Sequence, residues 1–105
     1  MKLKVHPEAG ADAAEAAVWY ERQQKQLGTD FEEAVDSVLG RLEESPESGS
    51  LLEMFPGDAT IRRVLLKRFP YVVVYEILPD EIHVLAVAHT HRRPNYWLAR
   101  RESSE

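Results

Sequence analysis

The sequence predicts an α+β domain in which a helix hairpin packs on one face of a twisted antiparallel sheet, in the order β-α-α-β-β-β. Two observations carry this prediction. Apolar residues recur at helical spacing from Pro7 to Leu42, whereas β-branched residues dominate three short runs between Thr60 and His89. All 105 residues are expected to form a single domain, 1–105, in which residues 102–105 are a disordered tail.

The first half begins with a short alternating stretch, KLKVH, which is typical of a strand. Pro7 suits the first turn of a helix. Gly28 is the expected end of that helix, and Thr29 with Glu32 matches a capping box for the next one. The first helix presents small side chains and one tyrosine on a single face, namely Ala9, Ala13, Ala16, Ala17, Tyr20 and Leu27.

The second helix has the clearest amphipathic pattern in the chain. Its apolar residues follow at spacings of three and four, namely Phe31, Ala34, Val35, Val38, Leu39 and Leu42. The stretch SPESGSLLEMFPGDA then carries two prolines and two glycines, which is typical of a loop, with a short edge strand over Leu51–Phe55.

Three β-branched runs follow, TIRRVLL, YVVVYEI and EIHVLAVAH, and they predict an antiparallel meander. The middle run, Tyr71–Leu78, is apolar on both faces apart from Glu76, as a central strand should be. Strict alternation in the last run places Ile82, Val84, Ala86 and Ala88 on one face and His83, Leu85, Val87 and His89 on the other. One sheet face should take the helices, the second should be partly open, and NYWLARR should form a short terminal helix.

Composition excludes several classes of protein. There is no Cys, so neither a disulfide framework nor a thiolate metal site can form. No apolar run approaches the ~20 residues of a membrane helix, and the first residues lack the apolar stretch of a secretory signal, so a cytoplasmic location is expected.

The net charge of −5 is unevenly distributed. Residues 1–59 hold 5 basic and 13 acidic groups (−8), residues 60–101 hold 8 basic and 3 acidic groups (+5), and the tail adds −2. This asymmetry indicates a solvated acidic half and a basic half suited to an anionic or acidic partner.

The stretch AVAHTHRRPNYW, residues 86–97, concentrates the chemically capable side chains at the end of the last strand. Its histidines offer a His-x-His pattern, but no carboxylate or Cys stands at metal-ligand spacing, so no metal and no cofactor are predicted. The arginines and aromatics favour a recognition surface at the open side of the sheet, although such clusters also occur where a segment merely caps a sheet.

Three stretches, WYERQQKQLGTDF, IRRVLLKRFPYVVVYEI and VLAVAHTHRRPNYW, resemble the RelE/ParE superfamily of bacterial toxins in this order. The resemblance extends from about Glu8 to Arg101. It implies the toxin of a type II toxin–antitoxin module, often labelled a plasmid stabilization protein, which a cognate antitoxin silences with a flexible C-terminal segment. A toxin–antitoxin heterotetramer is a further implication.

Members of this superfamily divide by target. ParE-like toxins bind DNA gyrase, whereas RelE-like toxins are endoribonucleases that cut messenger RNA on the ribosome. Under the ribonuclease alternative, Tyr96 and His91 are the expected catalytic residues. The ribonucleases, however, place an Arg after the central-strand Tyr, where this chain has Val72, and Thr90 stands near where another functional Arg is expected. These departures favour the ParE-like alternative, for which the resemblance implies no hydrolytic chemistry, so whether this chain is an enzyme stays open.

The expected binding residues for target or antitoxin are basic or aromatic, namely Arg62, Arg63, Lys67, Arg68, His89, Arg92, Arg93 and Trp97. Since Arg62 and Arg63 point to opposite faces of one strand, at most one of them can line a given site. A domain that only binds an antitoxin, without toxicity, is a third hypothesis.

Overall fold

The computed structural model describes residues 1–52 and 61–101, which form two helices packed on a five-stranded sheet. The predicted α+β class is confirmed. Its elements are β1 (Lys2–Val5), α1 (Pro7–Gln23), α2 (Leu27–Glu44), β2 (Ser50–Leu51), β3 (Ile61–Leu65), β4 (Tyr71–Ile77) and β5 (Glu81–His89), with 3-10 turns at Pro46–Ser48 and Leu98–Arg101. Most of the predicted edge strand over Leu51–Phe55, and the predicted tail, lie outside the described residues.

The sheet has the order β1-β5-β4-β3-β2, so β4 is the central strand, as predicted. The prediction of a wholly antiparallel sheet is wrong, because β1 pairs with β5 in parallel. The two-residue β2 explains the difference. It is an additional strand between α2 and β3, so seven successive elements alternate in direction and the first and last run the same way.

The junction between the helices also differs from its prediction. Helix α1 ends at Gln23 and α2 begins at Leu27, after Gln26 in the left-handed region (φ 80°). The cap is the carboxylate of Glu21, which accepts hydrogen bonds from the backbone N–H groups of Gln26 and Gly28, each at 3.0 Å. Thr29 therefore lies inside α2 and the predicted capping box is wrong.

Gly28 has a packing role instead of a terminating one. A Cβ atom at this position would lie 2.4 Å from the backbone oxygen of Ala17, so only glycine lets the start of α2 approach α1 this closely.

The helix faces pack as the periodicity predicts. The buried residues of the two helices pack against the inner face of the sheet, namely Phe31, Val35, Val38 and Leu42 of α2 and Ala9, Ala16 and Ala17 of α1. A cluster of aromatic side chains fills one end of this core. It consists of Tyr20, Phe31, Phe69 and Tyr71, whose contacting rings have centroids 4.8–6.1 Å apart.

Within residues 1–52 and 61–101, neither helix carries an apolar stretch sufficient to cross a membrane.

Strand β5 departs from strict alternation at a β-bulge. Val74 pairs with Ala86 while the next residue, Tyr75, pairs with Val84, so Leu85 has no partner on β4. Ile82, Val84 and Val87 consequently pack in the helix-side core, whereas Leu85, Ala86 and Ala88 pack on the opposite face. The predicted faces are therefore correct up to Leu85 and wrong beyond it.

The second face of the sheet is only partly open, as predicted. The C-terminal segment, residues 92–101, lies across it. Trp97 of this segment is only 4% exposed and packs with Ile61, Val74, Leu85 and Ala86. The predicted terminal helix is a single 3-10 turn, which Asn95 precedes in the left-handed region (φ 65°).

The helix cap gives a first testable prediction. Glu21→Ala removes the acceptor for two N–H groups of the α2 terminus and should lower the free energy of unfolding by about 1 kcal/mol. Thr29→Ala, on the exposed side of the same turn, should change it by less than about 0.5 kcal/mol. Urea denaturation of both variants measures the difference. A larger loss of unfolding free energy in Thr29→Ala than in Glu21→Ala would show that Thr29 caps α2 after all.

Candidate partner-binding groove

The partly open face of the sheet holds a groove of about 170 Å³ between β3, β4, the end of β5 and the C-terminal segment. We call it the sheet groove. Its floor is largely apolar, formed by Val72, Val74, Ala88 and Trp97. Its other described lining residues are Leu52, Arg63, His89, Thr90, Arg92, Arg93, Pro94, Asn95 and Tyr96.

Three arginines make the sheet groove electropositive. Arg63 reaches it from β3, and Arg92 and Arg93 from the turn after β5. Among its described lining residues there is no Asp or Glu. Among the described lining residues, an apolar floor with cationic and no acidic neighbours suits an extended segment that carries both apolar and acidic side chains.

Arg62 lies on the other side of β3 and has a structural role. Its guanidinium donates to the backbone oxygens of Gly49 at 2.8 Å and Glu47 at 3.3 Å, which ties the loop after α2 to the sheet. The hydroxyl of Tyr75, which pairs with Arg62 across the strands, donates to Pro46 O at 2.6 Å in the same loop. Only one of the adjacent arginines thus lines the groove, as strand geometry predicts.

Lys67 and Arg68 are not brought to the sheet groove. They line a separate depression of about 330 Å³ between α2 and the end of β3, together with Arg41, Asp30 and Glu33. The guanidinium of Arg68 lies 3.6 Å from the carboxylate of Asp30. Mixed charge at this depression distinguishes it from the sheet groove, whose described charged lining residues are all cationic.

The two histidines after the bulge occupy different positions. His89 lines the groove, with its ring 5.1 Å from that of Tyr71, and its Nδ1 accepts the backbone N–H of His91 at 3.0 Å. The His91 side chain is exposed. His83 lies farther back along β5, buried beside His6 at 5.7 Å between ring centroids. In the part of the chain that the structure describes, no three metal-binding side chains come together.

Tyr96 is held in a way that affects its chemistry. Its hydroxyl donates to Oδ2 of Asp12 at 3.1 Å, and the guanidinium of Arg92 stacks over its ring at 3.9 Å. Burial, and then the neighbouring carboxylate of Asp12, raise the pKa of Tyr96 to about 12. The phenol therefore keeps its proton at neutral pH and offers it to Asp12.

Asp12 is the residue on which the C-terminal side of the groove converges. Besides Tyr96, its carboxylate accepts the backbone N–H of Val87 at 3.1 Å and the guanidinium of Arg100 at 2.8 Å. Arg100 also donates to the backbone oxygen of Leu85 at 2.9 Å. The side chains of Arg100 and Asp12 are only 13% and 14% exposed, so this is a largely buried ion pair.

A second ion pair lies next to the first. The guanidinium of Arg101 contacts the buried carboxylate of Glu76 at 2.7 Å. The two consecutive arginines thus fix the end of the C-terminal segment to β4, β5 and α1. The fixed segment keeps Trp97 over the sheet and forms one wall of the groove.

Sequence reasoning missed Asp12, Arg100 and Arg101. For Asp12 a signal was available, because it stands on the alanine-rich buried face of α1, three residues after Ala9 and four before Ala16. A carboxylate on a buried helix face needs a partner, and a basic C-terminal segment could have been proposed to supply it.

Comparison with known proteins places this architecture among bacterial toxins. The profile of the family "ParE toxin of type II toxin-antitoxin system, parDE" matches residues 3–94. The chain belongs to this family of ParE toxins. A solved structure described as "Chromosomal ParDE TA system from P. aeruginosa" is similar in fold, with a TM-score of 0.63 and 19% identity over 85% of this chain and 95% of that one. Comparison with curated proteins gave no match.

The Asp12–Arg100 pair gives a second testable prediction. Asp12→Ala leaves a largely buried guanidinium without its main partner and should lower the free energy of unfolding by about 3 kcal/mol. Asp12→Ala combined with Arg100→Met should lower it by less than the sum of the single losses, because no charge stays buried. Glu8→Ala, which removes an exposed carboxylate 3.8 Å from Arg100, should cost less than about 0.5 kcal/mol. Additive losses in urea denaturation would contradict this account.

His83 gives a prediction about pH. It is 1% exposed, and neither ring nitrogen has a hydrogen-bond partner among the described residues. Burial lowers its pKa, as do His6 and Lys4, while Glu76 and Glu81 oppose them. With the folded-state pKa below the unfolded value of about 6.5, unfolded chains bind the proton first, so stability should fall as pH drops below about 6.5.

His83→Leu should remove most of that contribution, whereas His91→Leu, at an exposed position, should leave the pH dependence as in the wild type. The measurement is the free energy of unfolding at pH 7.5 and pH 5.5 for the three proteins. An equal decrease in wild type and His83→Leu would assign the pH dependence to other groups.

Proposed function

We propose that this ParE-family toxin acts on a protein target such as DNA gyrase, and that a cognate antitoxin neutralises it by occupying the sheet groove. The observation that carries the proposal is the groove itself, in which Arg63, Arg92 and Arg93 surround an apolar floor with no acidic side chain among the described lining residues. A segment that alternates apolar and acidic side chains would satisfy both features at once.

Competition for one surface explains neutralisation. If target and antitoxin bind through the same arginines, the antitoxin need only bind more tightly to displace the target. A flexible acidic segment would also be steered towards the positive groove, because the local potential, not the net charge of −5, governs approach at short range.

Ribosome-dependent cleavage of messenger RNA is the alternative function, and the position of His89 beside Arg92 and Arg93 favours it. A histidine and two arginines can move a proton and stabilise a phosphate. Two features argue against it. The groove floor has Val72 where the ribonucleases carry an arginine, and the hydroxyl of Tyr96 is engaged with Asp12 at a pKa of about 12.

Two assays on the purified toxin test the proposal, namely inhibition of gyrase supercoiling and cleavage of messenger RNA in a translating extract. We expect inhibited supercoiling, intact message, and restored supercoiling when the antitoxin is added. Arg63→Glu and Arg93→Glu should each weaken inhibition and antitoxin binding at least tenfold. Lys67→Glu, which changes the charge equally outside the groove, is the matched control and should leave both unchanged.

Each other outcome has a definite meaning. If the wild-type toxin cut messenger RNA on ribosomes and the His89→Ala or His91→Ala variant did not, the ribonuclease alternative would be established. Antitoxin binding with neither activity would leave a domain that only binds its antitoxin. Equal loss in Lys67→Glu and Arg93→Glu would show that the sheet groove is not the binding surface.

A further inference from the structure

The outer face of α1 carries an apolar patch that nothing in the described part of the chain covers. Val18 is 52% exposed and Trp19 is 56% exposed, although both lie in the middle of a well-formed helix. Glu15 and Arg22 flank them, and the four residues with Ala14 line one shallow surface. We call it the outer patch of α1. Contiguous exposed apolar side chains with polar residues at their edge are typical of protein interaction sites.

The outer patch is not a by-product of core packing. The buried side of α1 uses alanines and Tyr20, and none of the residues of the patch contributes to that core. Trp19 is nevertheless oriented, because its ring meets the ring of Tyr20 edge to face at 5.1 Å between centroids. A tryptophan that is both exposed and positioned in this way resembles an anchor at an interface.

The order of residues along the patch gives it a two-fold symmetry. Glu15 stands three residues before Val18, and Arg22 stands three residues after Trp19. If a second α1 lay antiparallel, with the two-fold axis between Val18 and Trp19, each Glu15 would face the Arg22 of the other chain. A surface that is complementary to itself in this way fits an isologous interface.

We propose that two copies of this toxin associate through the outer patches of their α1 helices, with the helices antiparallel and two Glu15–Arg22 ion pairs at the ends of a Val18–Trp19 centre. Ala14, which would face Gln23 of the other chain, is small and exposed, so the second helix can come close there. Among the described residues, neither Glu15 nor Arg22 has an ion-pair partner that would compete.

The geometry of the domain keeps this surface separate from the sheet groove. Helix α1 packs on one face of the sheet, and the groove lies on the other. Two toxins joined through α1 would therefore present two free grooves, facing away from each other. One helix pair buries less area than a standard interface, so the dimer should form in a concentration-dependent equilibrium.

Sedimentation equilibrium of the full chain over a concentration series tests the proposal. We expect monomer and dimer in exchange for the wild type. Glu15→Arg and Arg22→Glu should each weaken dimerisation about tenfold, because each places like charges together at both ends of the helix pair. The double variant with both changes restores opposite charges and should dimerise within about threefold of the wild type. Glu32→Arg, an equal change of charge on the exposed side of α2, should have no effect.

Trp19→Ala should abolish dimerisation, and an unchanged melting temperature would show that this exposed position does not affect folding. A wild type that stays monomeric at every concentration would overturn the proposal, as would a double variant as weak as the single ones. If Trp19→Ala weakened antitoxin binding while the wild-type toxin alone stayed monomeric, the outer patch would bind the antitoxin and not a second toxin. Since the dimer does not depend on the sheet groove, Arg93→Glu should leave it intact, which separates this test from that of the proposed function.

Discussion

The structure depends on how the outer edge of β5 is completed where β1 ends. Strand β1 pairs only with Glu81–Val84, and the chain then turns into α1, so the following residues of β5 have no neighbouring strand on that side among the described residues. The buried Asp12–Arg100 pair takes the place of a strand. Its carboxylate accepts from Val87 N–H and its guanidinium donates to Leu85 C=O, which satisfies backbone groups that would otherwise be buried without partners.

Several features follow from this one ion pair. The β-bulge at Leu85 is tolerated because the backbone groups at this edge of β5 have hydrogen-bond partners. The bulge changes the direction of the following side chains, so that Leu85, Ala86 and Ala88 all pack beneath Trp97. Asp12 also fixes the hydroxyl of Tyr96, and Arg100 fixes the end of the C-terminal segment. The C-terminal wall of the sheet groove is thus held in place by a helix residue and a C-terminal residue that are distant in sequence.

Much of the fold could be predicted because it depends on local patterns. The face of α2 that contains Phe31 and Val38 follows from spacing alone, and so does the apolar central strand β4. The features that were predicted wrongly depend on contacts between residues that belong to different elements of the fold. A bulge is set by pairing between two strands, the short β2 has no periodicity to detect, and the cap of α2 comes from Glu21, far outside any capping-box spacing.

The same division applies to the candidate site. Arg63, Arg92, Arg93 and His89 could be selected because their residue types and strand positions suggest binding. The roles of Arg62 and Arg63 could not be assigned until the loop contacts of Arg62 were known. The position of Asp12 on the buried face of α1 indicated that it needs a partner, but not that the partner is Arg100. Ion pairs between distant segments leave no spacing rule in the sequence, so side chains that organise a site are harder to find than those that line it.

The distribution of charge bears on what kind of partner the groove can hold. The described charged residues of the groove are cationic, while the exposed surface of the two helices, on the opposite side of the sheet, is rich in acidic residues. Screening limits each field to about 8 Å at physiological ionic strength, so the three lining arginines act most strongly on a short anionic segment within the groove. A long polyanion would extend past the rim towards acidic surface and lose part of that attraction. The distribution of charge therefore supports the proposed acidic protein segment as the occupant of the groove, by an argument that does not depend on the residues that catalysis would require.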